Sequence, residues 1–155
     1  MTDSPQDRLV LLAAGTARPG RIPLPPAFAV KAGTADTEGR FSLLEVVVAR
    51  AVPRHTHHLA DESIYVLDGE LLVDVDDRTH TLTAGHFALL PHGMPHALRP
   101  GAGRPPRVLQ ISSPGGWECF VEDLTEAGPR LTQAGRLDPS ALNRIAAAHA
   151  ITYEE

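Results

Sequence analysis

An all-β fold, either a small antiparallel barrel or a sandwich, is what this sequence predicts. Short apolar runs recur along most of the chain, and 13 glycines and 14 prolines separate them. Strands divided by frequent turn residues are typical of antiparallel barrels and sandwiches. The 155 residues suit a single domain, long enough to bury a core without the help of a metal or a disulfide.

The first part of the chain is predicted to be an arm that leads into the barrel. Residues 1–40 contain a proline-rich stretch at 19–28, which favours an extended edge segment over a helix. The β-rich run at 41–49, FSLLEVVVA, is long enough to be a central strand. We therefore place the barrel core at about 41–113, with little helix before residue 115.

The middle of the chain is predicted to continue in short strands. The runs SIYVLDGE and LLVDVDD meet at Asp68-Gly69, a dipeptide typical of hairpin turns. In the second run apolar and acidic residues alternate, which predicts one buried and one wet face. Three more strands are predicted in THTLT, HFALL and RVLQIS.

The tail at 114–155 is predicted to be a helical appendage. Helical spacing appears at Trp117–Leu124 and at Pro139–Ala148, and Asp138 before Pro139 has the character of a helix N-cap. Trp117 and Phe120 either cap the mouth of the barrel or pack on its outer sheet.

Composition excludes several classes of partner. The net charge is −5 and no basic block is present, which argues against nucleic acid and against anionic membranes. No segment approaches the ~18 apolar residues of a transmembrane span. The single cysteine, Cys119, rules out an intrachain disulfide and fits a reducing compartment. We expect a cytoplasmic protein that acts on a small-molecule substrate.

A histidine-rich stretch, HTHHLADE, predicts a metal site. On an extended strand His55 and His57 share one face and His58 points the other way. Glu62 follows a short turn, from which it meets the histidine pair across a hairpin, and His96 opens a later strand. Three imidazoles and a carboxylate suit one divalent transition metal ion (Fe, Mn, Ni, Co, Cu or Zn), with positions left for water or substrate. The other histidines, His80, His86, His92 and His149, are expected to play no part in the site.

The spacing of these residues resembles the paired motifs of the cupin superfamily. The first pattern is H-x-H-x4-E-x6-G from His55 to Gly69, and the second is G-x5-P-x-G-x2-H from Gly85 to His96. Ala49 and Pro100 depart from the pattern at positions that are not metal ligands. The resemblance implies an antiparallel double-stranded β-helix, or jelly-roll barrel, a homodimer, and one metal ion held by the four residues His55, His57, Glu62 and His96.

Segments outside the motifs are similar to bacterial quercetin-2,3-dioxygenase-like cupins. They are KAGTADTEGRFSLLE, SSPGGWECFVEDL and AAAHAITY. This resemblance implies an enzyme acting on an aromatic, flavonol-like or polyketide-like compound, either by dioxygenase chemistry or by non-oxidative cyclisation or isomerisation. Glu62 is then the candidate proton acceptor. Ile64 and Leu98, which share a face with Glu62 and His96, are candidates either for the substrate pocket or for ordinary barrel core.

Two further hypotheses come from other classes of protein. A non-enzymatic cupin that binds or senses a small molecule has the same barrel, but the full set of four ligands favours an enzyme. A metal-dependent hydrolase with H-x-H on a TIM-barrel strand needs about 250 residues, more than this chain has.

Overall fold

Strands dominate the fold. The structure is a computed structural model that describes residues 4–155. Within that range the strands are β1 (Phe28–Ala32), β2 (Ser42–Val47), β3 (Val52–His57), β4 (Asp61–Asp68), β5 (Leu71–Val75), β6 (Arg78–Leu82), β7 (Phe87–Leu90), β8 (His96–Pro100), β9 (Arg107–Ser113), β10 (Thr132–Gln133), β11 (Arg136–Leu137) and β12 (Ile151–Tyr153).

Two five-stranded antiparallel sheets enclose the core. One sheet has the order β1-β2-β9-β4-β7 and the other β12-β3-β8-β5-β6. Period-two alternation points one face of each strand inward, as Leu44 and Val46 on β2 and Leu71 and Val73 on β5 illustrate. These side chains meet between the sheets in one apolar cluster. The predicted antiparallel barrel is confirmed.

The turn at Asp68-Gly69 joins the two sheets and does not close a hairpin. Strand β4 pairs with β7 and β9, whereas β5 pairs with β6 and β8. Gly69 has φ +83°, and a Cβ there would lie 2.8 Å from Pro106 Cα. The dipeptide therefore fixes the local bend but not the partner strand, and the hairpin predicted here is wrong. A true hairpin lies one step later, between β5 and β6.

Each sheet gains an outer strand from outside residues 41–113. Strand β1 pairs with β2, and β12 pairs with β3. The arm before β1 packs on its own chain: the Arg18 amide donates to the Val30 carbonyl at 2.7 Å, and the Arg21 amide donates to Glu122 at 2.6 Å.

Two α-helices follow the barrel, α1 (Trp117–Ala127) and α2 (Pro139–Ala146). Asp138 is the N-cap of α2 as predicted, and its side chain accepts a hydrogen bond from the Ser140 amide. Phe120 and Tyr153 belong to a second apolar cluster that joins both helices to β12. Neither α-helix in the described part of the chain is long and apolar enough to cross a bilayer.

The sequence predicts a homodimer in which the proline-rich arm 19–28 and exposed barrel edges pair with a second copy, and this remains a prediction. Because the arm packs on its own chain, the β7 edge is the surface we expect the dimer to use. Phe87 and Leu89 on β7 have 60% and 54% of their surface exposed, and Tyr65, opposite Phe87 on β4, has 42% exposed. An unpaired apolar edge is a liability that a second copy would cover. Light scattering should then give twice the chain mass of 16.6 kDa. Phe87→Asp with Leu89→Asp should halve it, whereas Leu11→Asp, on the exposed arm, should not. Dissociation by the Leu11 variant alone would assign the interface to the arm.

Candidate metal centre

Strand β3 supplies two inward imidazoles. His55 and His57 are buried, with 1% and 6% of their surface exposed. His58 points out of the barrel, where its Nε2 lies 2.8 Å from Thr152 Oγ1 on β12. The strand therefore has the predicted register, with His58 outside the cluster.

Two other strands complete the cluster. His96 on β8 lies directly opposite His55 on β3 in the same sheet. Glu62 opens β4 in the facing sheet, so its carboxylate meets the histidines across the barrel interior and not across the predicted hairpin. One ligand atom from each residue lies within 4.8 Å of all the others, and all four residues are buried.

The orientation of two imidazoles fits a metal ligand set. His55 Nδ1 lies 2.8 Å from the Pro53 carbonyl, and His96 Nδ1 lies 3.1 Å from the Met94 carbonyl. A carbonyl only accepts hydrogen bonds, so Nδ1 carries the proton in each ring and Nε2 of the neutral ring is left with a lone pair. Metal-bound histidines commonly donate their second N–H to a backbone carbonyl in this way.

A cation also fits the contacts that Glu62 makes. Its Oε2 lies 3.1 Å from His57 Nε2 and 3.1 Å from His96 Nε2. The His57 contact lacks hydrogen-bond geometry, and this buried nitrogen finds no other partner within residues 4–155. The His96 contact is a hydrogen bond when its Nε2 carries a proton, and an ionised carboxylate is a pure acceptor, so an unprotonated Nε2 on either ring sets a lone pair against it. A divalent ion among these atoms satisfies them together, and the residues present fit such a site.

The pKa values of the candidate ligands also bear on metal binding. Burial, helped by the charge of His96, lowers the pKa of His55 to about 4, so its ring is neutral at physiological pH. Burial alone would raise the pKa of Glu62, but the contacts with His57 and His96 outweigh it and lower the pKa. Burial lowers the pKa of His96, but its contact with Glu62 outweighs burial and raises that pKa, so a metal ion competes with a proton at His96. The cluster thus offers an anionic oxygen at Glu62 and a neutral nitrogen at His55, the forms that bind metal.

Two supporting residues were missed by the sequence predictions. Gln110 on β9 donates from Nε2 to Glu62 Oε1 at 2.6 Å and is itself buried. The sequence held a signal for it, since a glutamine at an inward position of an apolar strand needs a polar partner. Tyr153 on β12 stacks on His55 with ring centroids 5.0 Å apart. Tyr153 lies almost one hundred residues after His55 in the sequence, and no local sequence pattern predicts their contact.

The candidate pocket residues lie in the core. Ile64 and Leu98 belong to the apolar cluster between the sheets, with 1% and 6% of their surface exposed.

A cavity of about 250 Å³, which neither Ile64 nor Leu98 lines, reaches the metal centre at His57. Trp117 and Phe120 both line that cavity, and the Trp117 ring lies 5.5 Å from the His57 ring. Helix α1 thus covers the end of the barrel that holds His57.

The remaining histidines stay outside the cluster. His80, His86 and His92 are exposed, and His149 pairs with Asp123 on α1 at 2.6 Å. His92 contacts Asp61 at 2.7 Å on the surface.

Comparison with known proteins identifies the domain. Residues 42–111 match the sequence profile of the cupin domain, Cupin_2. The fold is also similar to an uncharacterised conserved protein with a double-stranded β-helix domain from Klebsiella pneumoniae subsp. pneumoniae MGH 78578, at 16% identity and a TM-score of 0.52, over 69% of this chain and 90% of that chain. KdgF from Halomonas sp. is similar at 18% identity and a TM-score of 0.50, over 63% and 90%. The predicted cupin fold is therefore confirmed.

One solved structure is more similar in sequence. The polyketide cyclase RemF from Streptomyces resistomycificus is 30% identical, with a TM-score of 0.50, over 56% of this chain and 63% of RemF. The match spans a little under two thirds of the RemF chain. A comparison with curated proteins gives no significant match.

Replacing His57 should abolish metal binding, whereas replacing its neighbour should not. Protein purified without a histidine tag should carry ~1 divalent ion per chain, and His57→Ala should carry less than ~0.1. His58→Ala, on the outer face, should match the native protein. Elemental analysis by mass spectrometry measures both, and circular dichroism should show that each variant keeps the barrel. Metal loss in the His58 variant alone would refute the assignment.

Replacing Gln110 should weaken the metal site without emptying it. Gln110→Leu removes the donor to Glu62 Oε1 and frees the carboxylate to rotate. Loss of such an outer hydrogen bond typically lowers metal affinity by ~10- to 100-fold. Competition with a chromophoric chelator measures the affinity, and Gln133→Leu on the exposed β10 is the control. Native affinity in the Gln110 variant would show that Glu62 is held in place by other contacts.

Proposed function

We propose that this cupin-domain protein is a metal-dependent enzyme that acts on an oxygen-bearing aromatic or polyketide-like small molecule, of the kind found in secondary metabolism. The observation that carries the proposal is the buried convergence of His55, His57, Glu62 and His96 beside an open cavity. A scaffold of this length needs no metal to fold, so such a cluster is better suited to chemistry than to stability.

Non-oxidative cyclisation or isomerisation is the favoured reaction. The similarity to RemF, described as a polyketide cyclase, supports it at 30% identity. Dioxygenase chemistry of the quercetin-2,3-dioxygenase type is the other candidate, and the sequence segments that resemble those cupins are its support.

The side chains of the centre have separable roles. A divalent ion held by the four ligands would supply Lewis acidity toward a substrate oxygen. Glu62 is ionised at neutral pH, as a proton acceptor must be. Its low pKa makes it a weak base, so it takes a proton only from a group whose own acidity has been raised. Gln110 keeps one carboxylate oxygen fixed while the other faces the histidines.

Aromatic side chains pack against two of the histidines. Tyr153 covers one face of His55, and burial raises its pKa well above the ordinary range, so the phenol stays neutral. Trp117 lies against His57 on the cavity side. His55, Glu62 and His96 have no more than 3% of their surface exposed, and the cavity reaches the centre at His57.

Metal-loaded protein should convert a member of an aromatic and polyketide-like panel without consuming oxygen. The protein is reconstituted with one metal at a time and incubated with catechol, quercetin and linear poly-β-ketone analogues. A product of unchanged mass, or one lacking a molecule of water, supports cyclisation or isomerisation. Oxygen uptake with both atoms of O2 incorporated into the product, and with carbon monoxide released when the substrate is quercetin, supports the dioxygenase instead.

The His57→Ala variant is the control for this experiment, because it should lose activity with every metal while staying folded. Tight binding of panel members with no turnover under any metal would favour the alternative, a cupin that binds or senses a small molecule. Equal turnover by the native protein and by His57→Ala would show that the metal centre takes no part in the reaction.

A further inference from the structure

A second histidine lines the cavity that reaches the metal centre. His57, a candidate metal ligand, and His149, which lies outside the cluster, both border this cavity. The His57 and Trp117 ring centroids are 5.5 Å apart. Those of Trp117 and Phe120, and those of Phe120 and His149, are each 5.2 Å apart. A compound bound here therefore shares the cavity with both a metal ligand and a second imidazole.

Helix α1 holds that imidazole in place. His149 Nε2 lies 2.6 Å from Asp123 Oδ2, and the other oxygen of Asp123 accepts from Arg21 at 3.0 Å. Trp117, Phe120 and Asp123 follow one another at three-residue intervals, so one side of α1 supplies first the aromatic wall and then the carboxylate. A carboxylate paired with a guanidinium only accepts hydrogen bonds, so Nε2 of His149 carries the proton.

Nδ1 of His149 is left free. It makes no hydrogen bond within residues 4–155, and it is not among the buried side-chain atoms that lack a partner. The His149 side chain has 17% of its surface exposed. Nδ1 is therefore accessible to a small molecule, to which it offers a lone pair.

The backbone ties His149 to the strand of the metal ligands. His149 ends a short turn of 3-10 helix at Ala147–His149, and Ala150 then directs the chain into β12 with φ +55°. The Ala150 carbonyl accepts a hydrogen bond from the His58 amide at 2.8 Å, one residue after the ligand His57. A left-handed backbone is unfavourable for alanine, so this contact helps to hold the turn. The position of the imidazole relative to the centre is thereby fixed.

The metal cluster itself offers no free acceptor of this kind. One oxygen of Glu62 accepts from Gln110, and the other faces His57 and His96. Cyclisation and isomerisation both require that one atom of the substrate loses a proton and another gains one. Imidazole gains and loses a proton near neutral pH more readily than other side chains do. His149 adds this capacity on the open side of the cavity.

We infer that His149, positioned by Asp123, is an acid–base residue of this cavity and exchanges a proton with the substrate through Nδ1. In an isomerisation, Nδ1 takes a proton from a carbon beside the substrate carbonyl. The electron pair of that C–H bond forms the C=C bond of an enolate, and the C=O pair moves onto oxygen. The proton then returns from Nδ1 to a different carbon of the conjugated enolate, which re-forms the carbonyl and leaves the imidazole neutral.

The inference rests on the proposed function, because it assigns a step of that reaction to a residue outside the metal cluster. It goes further in giving the tail of the chain a part in the chemistry. The alternative is that the pair of His149 and Asp123 only holds the tail on α1.

Nitrogen NMR tests the contact with a ligand without turnover. Native protein labelled with 15N-histidine, with and without zinc, is titrated with catechol, quercetin and the linear poly-β-ketone analogues. At least one compound should shift the Nδ1 resonance of His149 in a saturable way and leave the ring nitrogens of His92 unmoved. His92 is the matched control, because it pairs with Asp61 at 2.7 Å but does not line the cavity. No saturable change at His149 with any compound, or equal changes at both histidines, would overturn the inference.

His149→Gln separates proton transfer from support of the fold. The glutamine amide can still donate to Asp123 but cannot exchange a proton. With the panel compound that the native protein converts, kcat should fall ~10²- to 10⁴-fold, with little change in KM or in melting temperature. His92→Gln should keep the native kcat. Native kcat in the His149 variant, or an equal loss in the His92 variant, would refute the acid–base role.

Rescue experiments distinguish the roles of the two members of the pair. Free imidazole should restore part of the kcat that His149→Ala loses, in a concentration-dependent way. Asp123→Ala should lower kcat less than His149→Ala does, and Asp123→Glu should recover it, because a carboxylate again accepts from Nε2. Failure of imidazole to restore any activity would favour the purely structural role.

The proposed function can fail separately from this inference. A saturable change at His149 with no turnover of any panel compound supports the contact of His149 with the ligand and refutes the enzyme on which its proton transfer rests. Turnover that His149→Gln leaves at the native rate supports the enzyme and refutes the inference.

Discussion

Burial of the Glu62 carboxylate is the constraint on which the rest of the site depends. A charge with 3% of its surface exposed, set between two apolar sheets, is costly unless it is hydrogen-bonded and paired. One oxygen is held by Gln110 from the neighbouring strand, and the other faces His57 and His96 from the opposite sheet. These contacts stabilise the buried negative charge of Glu62, and a metal cation bound beside it would stabilise that charge further.

Local patterns were enough to predict much of this arrangement. Period-two alternation placed His55 and His57 inside and His58 outside, because side-chain direction on a strand depends only on the position of the residue. The N-cap at Asp138 is also local, since the capping side chain bonds an amide two residues away. The paired motif spacing added His96 and Glu62, which local rules alone would not have brought together.

What could not be predicted depends on which strands become neighbours. Asp68-Gly69 suits a hairpin turn, yet β4 and β5 enter different sheets, because each strand finds its partners through burial of the whole barrel. The same holds for Tyr153, whose stacking on His55 follows from the pairing of β12 with β3 across the length of the chain. Gln110 is intermediate: its inward position was predictable, but the identity of its partner was not.

The pairing of β12 with β3 also has a consequence for the order in which the molecule is built. Chains emerge from the ribosome with the N-terminal part first, so His55 and His57 are exposed long before residues 151–153 exist. Until then β3 has β8 on one side and an open edge on the other. Because contacts so distant in sequence tend to form late, we expect the outer edge of the histidine strand to pair with β12 after the rest of the barrel has folded, so that Tyr153 stacks on His55 in a late step.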